Sequence, residues 1–291
     1  MVGLGIIGSA ISASLMRAGH PVIGYDISAG RRRDHRRGGG EVASTCGELG
    51  TRAAIVITSL PSSDALRATA DAFADSPRPP KIVVETSTLA IAVKEEARAR
   101  LHARGITLLD CPLSGTGTQA RAKDLVVYAS GSRAAYRRVA PILDAFARAR
   151  YYVGPFGCGS KTKLVANLLV AIHNVAAAEA LLLAKRVGLD PKTTLEAIAD
   201  GAGGSRMLEI RGPMMVKGDY SKASMKLDVW QKDLTLIAQL AHIAGSPTPL
   251  FTAAVPLYTA AISVGREDDD TAAVHAVLER MAGRAPKGRK D

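Results

Sequence analysis

Gly3-Leu-Gly5-Ile-Ile-Gly8 places three glycines at a spacing that few backbone paths accept. A G-x-G-x-x-G run fits a tight strand-to-helix turn. Glycine is needed where the chain reverses, where a pyrophosphate approaches the backbone, and where helix meets strand. The next residues follow the same plan. Ser9 to Ala18 reads as a helix ended by Gly19, and Pro21-Val-Ile-Gly-Tyr-Asp26 reads as a second strand closing on an acid. Asp26 stands eighteen residues beyond Gly8, near the spacing at which a carboxylate meets ribose hydroxyls. Together these predict a parallel βαβ unit that binds a dinucleotide, with the pyrophosphate at the helix N-terminus. Only Met1 and Val2 precede Gly3, so the first strand is expected to be short, through either a late-assigned start or a damaged edge. Asp26 repels a 2′-phosphate and favours NAD. Arg31, Arg32 and Arg33 keep NADP open, although Arg31 to Arg37 reads first as a solvated basic loop.

Further strands of the buried parallel kind are expected at Ala53 to Ser59, Lys81 to Glu85 and Leu108 to Asp110. Each runs into a loop rich in turn-formers: Leu60-Pro61-Ser62, Thr86-Ser87-Thr88, and Cys111-Pro112-Leu-Ser114-Gly115-Thr116-Gly117. Such strand ends line the ligand crevice of a doubly wound sheet. Singly, these residues are ordinary turn residues. Gly154-Pro155-Phe-Gly157-Cys-Gly159 breaks the alternation. From about Ser160 to Val187 one helix of roughly 40 Å, at 1.5 Å per residue, is long enough to join two domains. Beyond Gly188 the pattern predicts helices only, near 191–200, 205–217, 222–244, 249–264 and 270–281.

Within the long helix, Lys163 and Asn167 share one face. A helix that is apolar nearly all round is normally buried, and a buried amine and amide need partners. A polar substrate is one candidate; snorkelling at the helix start and a cap to a neighbouring loop are the plainer alternatives. Lys161, six residues before Asn167, is off that face.

In family order these segments resemble the β-hydroxyacid dehydrogenases, which include 3-hydroxyisobutyrate dehydrogenases, tartronate semialdehyde reductases and threonate dehydrogenases. The matching segments are Gly3 to Gly8, Leu60-Pro61, Ser87-Thr88, Asp110 to Thr116, Gly157 to Asn167 and Lys232-Asp233-Leu234. The resemblance implies an α/β Rossmann-type N-terminal domain (1–157) and an all-α C-terminal substrate and dimerisation domain (158–291), joined by the long helix. It implies hydride transfer between NAD(P) and a small anionic hydroxyacid. Lys163 would be the general acid and base, its pKa lowered by burial and nearby positive charge, and Asn167 would orient substrate. Substrate contacts are implied for Ser114, Gly115, Thr116, Asn167 and Lys232. Cofactor contacts are implied for Gly3, Gly5, Ile6, Ile7, Gly8, Asp26, Leu60, Pro61, Ala65, Thr88 and Lys232. Homodimers or homotetramers are implied too. Three residues depart from the family pattern: Thr116 for a glycine, which adds a side chain where substrate should sit; Ala166 for the first asparagine; and Met225 for a phenylalanine. Arg206 could meet a second substrate charge or pair at the surface, while Met225, Val229 and Trp230 read as core. A four-carbon sugar acid and a short branched acid both remain open as substrate.

Composition agrees. A net charge of +11 could attract nucleic acid, but aromatics are only 4% and no stacking motif appears; steering of anionic cofactor and substrate is sufficient cause. The six histidines show no metal spacing and the three cysteines are isolated, so no metal site is expected and a reducing cytoplasm fits. No secretory leader and no apolar run of membrane-spanning length are read. The final Arg284 to Asp291 reads as a disordered basic tail. A non-catalytic scaffold and an imine reductase would each be expected to lack Lys163, and a phosphogluconate dehydrogenase to carry a longer helical domain.

Overall fold

The computed structural model describes residues 1–283. The tail from Arg284 to Asp291 lies outside the described residues. The chain alternates helix and strand up to Gly154 and is helical beyond it. It divides into two compact units, Met1–Lys163 and Leu164 onward.

The first unit runs α1 (Ile6–Arg17), β1 (Ile23–Gly24), α2 (Ala29–Arg37), β2 (Glu41–Val42), α3 (Cys46–Arg52), β3 (Ile55–Thr58), α4 (Ser63–Ala74) and β4 (Ile82–Glu85). It continues through α5 (Ile91–His102), β5 (Thr107–Asp110), β6 (Leu113–Ser114), α6 (Gly117–Arg121), β7 (Leu125–Ser130), α7 (Arg133–Phe146) and β8 (Ala147–Gly154), and α8 (Cys158–Arg186) begins in it. The first strand, expected to be short, is reduced to one residue. Val2 makes parallel bridges to both Tyr25 and Thr58, its amide donating to Ile57 O and its carbonyl accepting from Ser59 N, each at 2.9 Å. The β1–β2 pair is thereby stitched to a sheet of order β3-β4-β5-β7, with β6 and β8 both paired to β7. This is the doubly wound form that the alternation predicts. The sheet is parallel except where β7 meets β5 and β6. Burial explains the apolar runs: Val56, Val83, Val84 and Leu109 are enclosed by helices on both faces.

Arg31 to Arg37 is not a loop. It forms α2, because Ser28 Oγ accepts the Arg31 amide as an N-cap and arginine is a good helix former.

In the second unit α8 is followed by α9 (Pro191–Ala199), α10 (Arg206–Lys217), α11 (Leu227–Ile243), α12 (Pro249–Ser263), a 3-10 turn (Thr271–Ala273) and α13 (Val274–Ala282). Asp190 and Ser205 cap α9 and α10, and Gly218, at φ +67°, ends α10. The predicted helix 222–244 loses its first five residues. Asp270, wholly buried, takes the amides of Ser224 and Met225 as well as the Arg211 guanidinium at 3.0 Å. A distant carboxylate thus outcompetes helical bonding there.

By length and composition α8 could cross a membrane, contrary to the sequence reading. Its Leu164, Ala171, Val175, Ala178 and Leu181 pack into the helical core with Trp230, Leu234 and Tyr258. That burial is one-sided, and the expectation of a helix covered all round fails: Leu169 is 48% and Leu183 64% exposed. Trp230 is core, but Val229 is exposed, because its position on α11 lies off the buried stripe of Leu227, Trp230 and Leu234.

His275, buried against Tyr220 with its Nδ1 3.1 Å from the phenol oxygen, titrates below the ordinary histidine range. Burial disfavours the imidazolium, Glu279 opposes that shift and Lys185 adds to it. The unfolded chain therefore takes up the proton first. Stability is full above the ordinary value and falls as pH drops through about 6.5. Thermal melts are expected to show the melting temperature declining on the acid side, and less steeply in His275→Asn. An identical acid slope in that variant would place the effect elsewhere.

Candidate active site

The glycine turn is built as its spacing requires. Gly3 has φ +84°, and a Cβ there would stand 2.1 Å from Ser59 O; at Gly8 it would stand 1.9 Å from Gly3 O. Both sites exclude any side chain. At Gly5 the nearest atom to such a Cβ is Arg31 Nη1 at 3.9 Å, so space is open in front of α1. Gly5 is the N-cap of α1 and no side chain caps it, which leaves the first-turn amides, Ile6 and Ile7 among them, aimed at that space. Asp26 sits at the end of the β1 segment. One carboxylate oxygen accepts Leu4 N at 2.8 Å and lies 3.4 Å from Arg31 Nη1; the other accepts Ser28 N at 2.8 Å. The acid, itself buried, therefore braces the glycine turn from the strand end. Arg32 also reaches back, to Asp26 O. This cradle fits a dinucleotide: open volume at a helix N-terminus, with a carboxylate beyond it at the strand end.

The neighbouring strand ends are tied to one another. Ser87 Oγ accepts Leu60 N at 2.7 Å, and Thr86 Oγ1 donates to Thr58 O at 2.7 Å, so these two hydroxyls hold loops. Thr88 is partly buried beside them and Pro61 is exposed. Ser62 caps α4 by accepting the Ala65 amide at 3.2 Å, which leaves Ala65 only its methyl to offer a ligand.

In the loop after β5, Ser114 ends β6, paired with Val126. Gly115 has φ +127°, and a Cβ there would strike Leu125 at 2.7 Å. The Thr116 hydroxyl is turned along α6, donating to Gln119 Oε1 at 2.6 Å. A Cβ on Gly117 would come within 2.3 Å of Ile6 Cγ2. The loop thus abuts the first turn of α1, bringing Ser114 to Thr116 toward the glycine cradle.

The start of α8 is anchored in the same unit. Asp110 accepts Ser160 N at 2.8 Å and Ser160 Oγ at 2.7 Å, and Ser130 Oγ accepts Gly159 N at 2.9 Å. Lys163, three residues on, is partly buried, whereas Lys161 is exposed. In the second unit Asn167 is buried, and its amide donates to Asp233 Oδ2 at 2.8 Å. The partner that the sequence reading sought in a ligand is supplied, for this amide group, by the protein. Lys232 Nζ lies 3.2 Å from the other Asp233 oxygen, so Asn167, Asp233 and Lys232 form one chain of contacts. Arg206 makes an exposed ion pair with Glu209 at 3.3 Å.

Sequence reasoning overlooked the centre of the first unit. Lys94 is wholly buried between Glu85 and Asp110, themselves wholly buried. The signal was present: Lys94 interrupts the stripe Val93, Ala97, Leu101 on α5, and each acid ends an apolar strand. Burial by itself pushes the Lys94 amine down, but the two carboxylates outweigh it and hold the amine above its ordinary value. Among the described residues no cluster of His, Cys, Asp or Glu could hold a metal ion.

The family described as the NAD binding domain of 6-phosphogluconate dehydrogenase matches residues 1–154. The one described as NAD-binding of NADP-dependent 3-hydroxyisobutyrate dehydrogenase matches 157–278. L-Threonate dehydrogenase of Cupriavidus necator is 33% identical over 94% of this chain and 93% of its own. Among solved structures, 3-hydroxyisobutyrate dehydrogenase from Salmonella typhimurium is 32% identical, with a TM-score of 0.84 over 95% of this chain and 98% of its own. The Mycobacterium tuberculosis 3-hydroxyisobutyrate dehydrogenase, in a structure with L-serine, is 27% identical, with a TM-score of 0.87 over 96% and 97%. With its glycine cradle, strand-end loops and helical second unit, the chain belongs to this family of NAD(P)-dependent hydroxyacid dehydrogenases, oxidoreductases that act on a CH–OH group.

Proposed function

We propose that the protein moves a hydride between a nicotinamide cofactor and a small 3-hydroxy acid or its carbonyl form, with Lys163 as general acid and base. The observation that carries this is the anchoring of α8. Asp110, at the head of the Ser114–Gly115 loop, grips Ser160 one turn before Lys163, which ties the amine's helix to the loop assigned to substrate. Ser114 Oγ and the Gly115 amide hold the substrate carboxylate, with Thr116 closing the loop. Lys163 takes the hydroxyl proton during oxidation and returns it during reduction. Asn167, its amide oriented by Asp233, positions the substrate oxygens, and Lys232 adds positive charge for substrate and cofactor. When bound, the nicotinamide supplies the hydride acceptor. Gly3, Gly5, Gly8 and the Ile6–Ile7 amides hold the pyrophosphate, Asp26 the ribose hydroxyls, and Leu60, Pro61, Ala65 and Thr88 the flank of the site. We assign residues 1–157 to cofactor binding and 158–291 to substrate and subunit contacts. Three separate cysteines suit a cytoplasmic setting. Relatives named L-threonate dehydrogenase favour a polyhydroxylated four-carbon acid as substrate over a branched one.

Lys163→Ala is expected to lower turnover of L-threonate with NAD about a hundred- to ten-thousandfold, the usual worth of a positioned acid–base group, with NAD affinity nearly unchanged. Reduced-cofactor absorbance and calorimetric titration check both. Near-normal turnover in that variant removes Lys163 from the mechanism, and activity on 3-hydroxyisobutyrate alone overturns the substrate assignment.

Asp26 favours NAD. Asp26→Asn is expected to lower kcat/KM for NAD about ten- to a hundredfold, the worth of one charge-assisted hydrogen bond, and to affect NADP less. Equal losses with both cofactors would mean that Asp26 only braces the glycine turn.

The exposed Leu169, Leu183, Val187 and Leu189 on and just beyond α8 point to burial against a second copy of the chain. Sedimentation velocity is expected to show a dimer or tetramer, and Leu183→Glu to weaken it. A monomer at micromolar concentration would refute the assignment.

A further inference from the structure

We propose that Lys94 is a positioning residue for Lys163: through Asp110 and Ser160 it sets where the first turn of α8 holds the Lys163 amine. The inference rests on Lys163 being the acid and base.

The Lys94 ammonium has three partners. It lies 2.8 Å from Asp110 Oδ1 and donates to Ser87 O at 2.7 Å. Glu85 Oε2 stands 2.6 Å away, an ion-pair contact. None of the three charged groups has any exposure. Two carboxylates and one ammonium leave a surplus negative charge, and that charge is met at the N-terminus of α8. Asp110 accepts the Ser160 amide and hydroxyl, and Ser130 Oγ, 3.2 Å from Asp110 Oδ2, accepts the Gly159 amide. Helix N-terminal amides and the helix dipole are suited to such an anion. Asp110 is thus an N-cap reaching α8 from fifty residues away.

The helix start has no slack to move without this anchor moving. A Cβ on Gly159 would lie 2.4 Å from Tyr128 O and 2.6 Å from Asp110 O, so α8 is pressed directly onto β5 and β7. On the other side Glu85 Oε1 accepts Ser87 N at 2.9 Å, and Ser87 Oγ accepts Leu60 N. One buried amine therefore links the Leu60 loop, the Ser87 loop, the head of the substrate loop and the helix bearing Lys163.

Stability alone is a poor reason for such a group. An apolar cluster of the same volume is commonly as stable as a buried ion triad, or more so. An apolar cluster cannot accept the Ser160 amide or orient it. What the ions add is direction, and the element they direct carries Lys163.

The test separates direction from stability. Lys94→Met strands two carboxylates and is expected to lose stability, possession of a fold being checked by circular dichroism. Lys94→Met/Glu85→Gln restores the charge count, leaves Asp110 without its cation, and recovers most of the melting temperature. Ser160→Ala removes one link and leaves the triad intact. The double variant and Ser160→Ala are each expected to lower kcat for L-threonate at least fivefold, with KM for NAD unchanged. Without cofactor, both are expected to change the rate at which Lys163 is reductively methylated, read by mass spectrometry, relative to exposed Lys161. Wild-type kcat and methylation rate in folded double variant and folded Ser160→Ala would overturn the inference. Lys163→Ala is run alongside. If it is inactive while the Lys94 and Ser160 variants match wild type, only the positioning role fails; if it is active, the assignment of Lys163 itself fails.

Discussion

An ammonium held between two carboxylates, out of reach of water, is the constraint around which the first unit is arranged. Lys94, Glu85 and Asp110 are each costly to bury singly, and together they are tolerable only in one geometry. That geometry dictates where β4, β5 and α5 meet and where α8 begins. The helical unit has its own version. Asp270, paired with Arg211, captures the amides of Ser224 and Met225 and so decides where α11 starts. In both units a buried acid caps backbone far away in sequence, with a buried cation beside it as counterion.

Around this centre the site is made chiefly of backbone. Gly3 and Gly8 are packed so closely that no side chain fits, and Gly5 stands where the space is open. Asp26 belongs to the same construction, since it grips Leu4 N inside the glycine turn. Gly117 against Ile6 joins the loop after β6 to the same turn. Glycines at such a turn let a pyrophosphate approach the backbone and let helix and strand pack closely.

Legibility in the sequence followed the range of the interaction. The glycine turn, the apolar strands and helices α8 to α12 rest on neighbours a few residues away, and their patterns were readable. So were the short first strand, reduced to Val2, and the family itself, whose motifs recur in order. Arg31 to Arg37 reads as a loop by charge alone, yet it is helical because Ser28 caps it. The start of α11 failed because Asp270 is more than forty residues from the amides it takes. Lys94 leaves a local trace, a lysine on a buried stripe of α5, but the acids that make sense of it come from two strands, β4 and β5.

By itself, the sequence determined which elements form, in what order, and the chemistry their loops offer, because turn geometry, periodicity and glycine spacing act over short stretches. Only the tertiary structure decided which polar side chains pair inside the molecule. Asp233 for Asn167 and Asp110 for Ser160 are partners that come from elements fifty or more residues away. They are settled by burial: a polar group shut away from water must take the partner that packing places within reach.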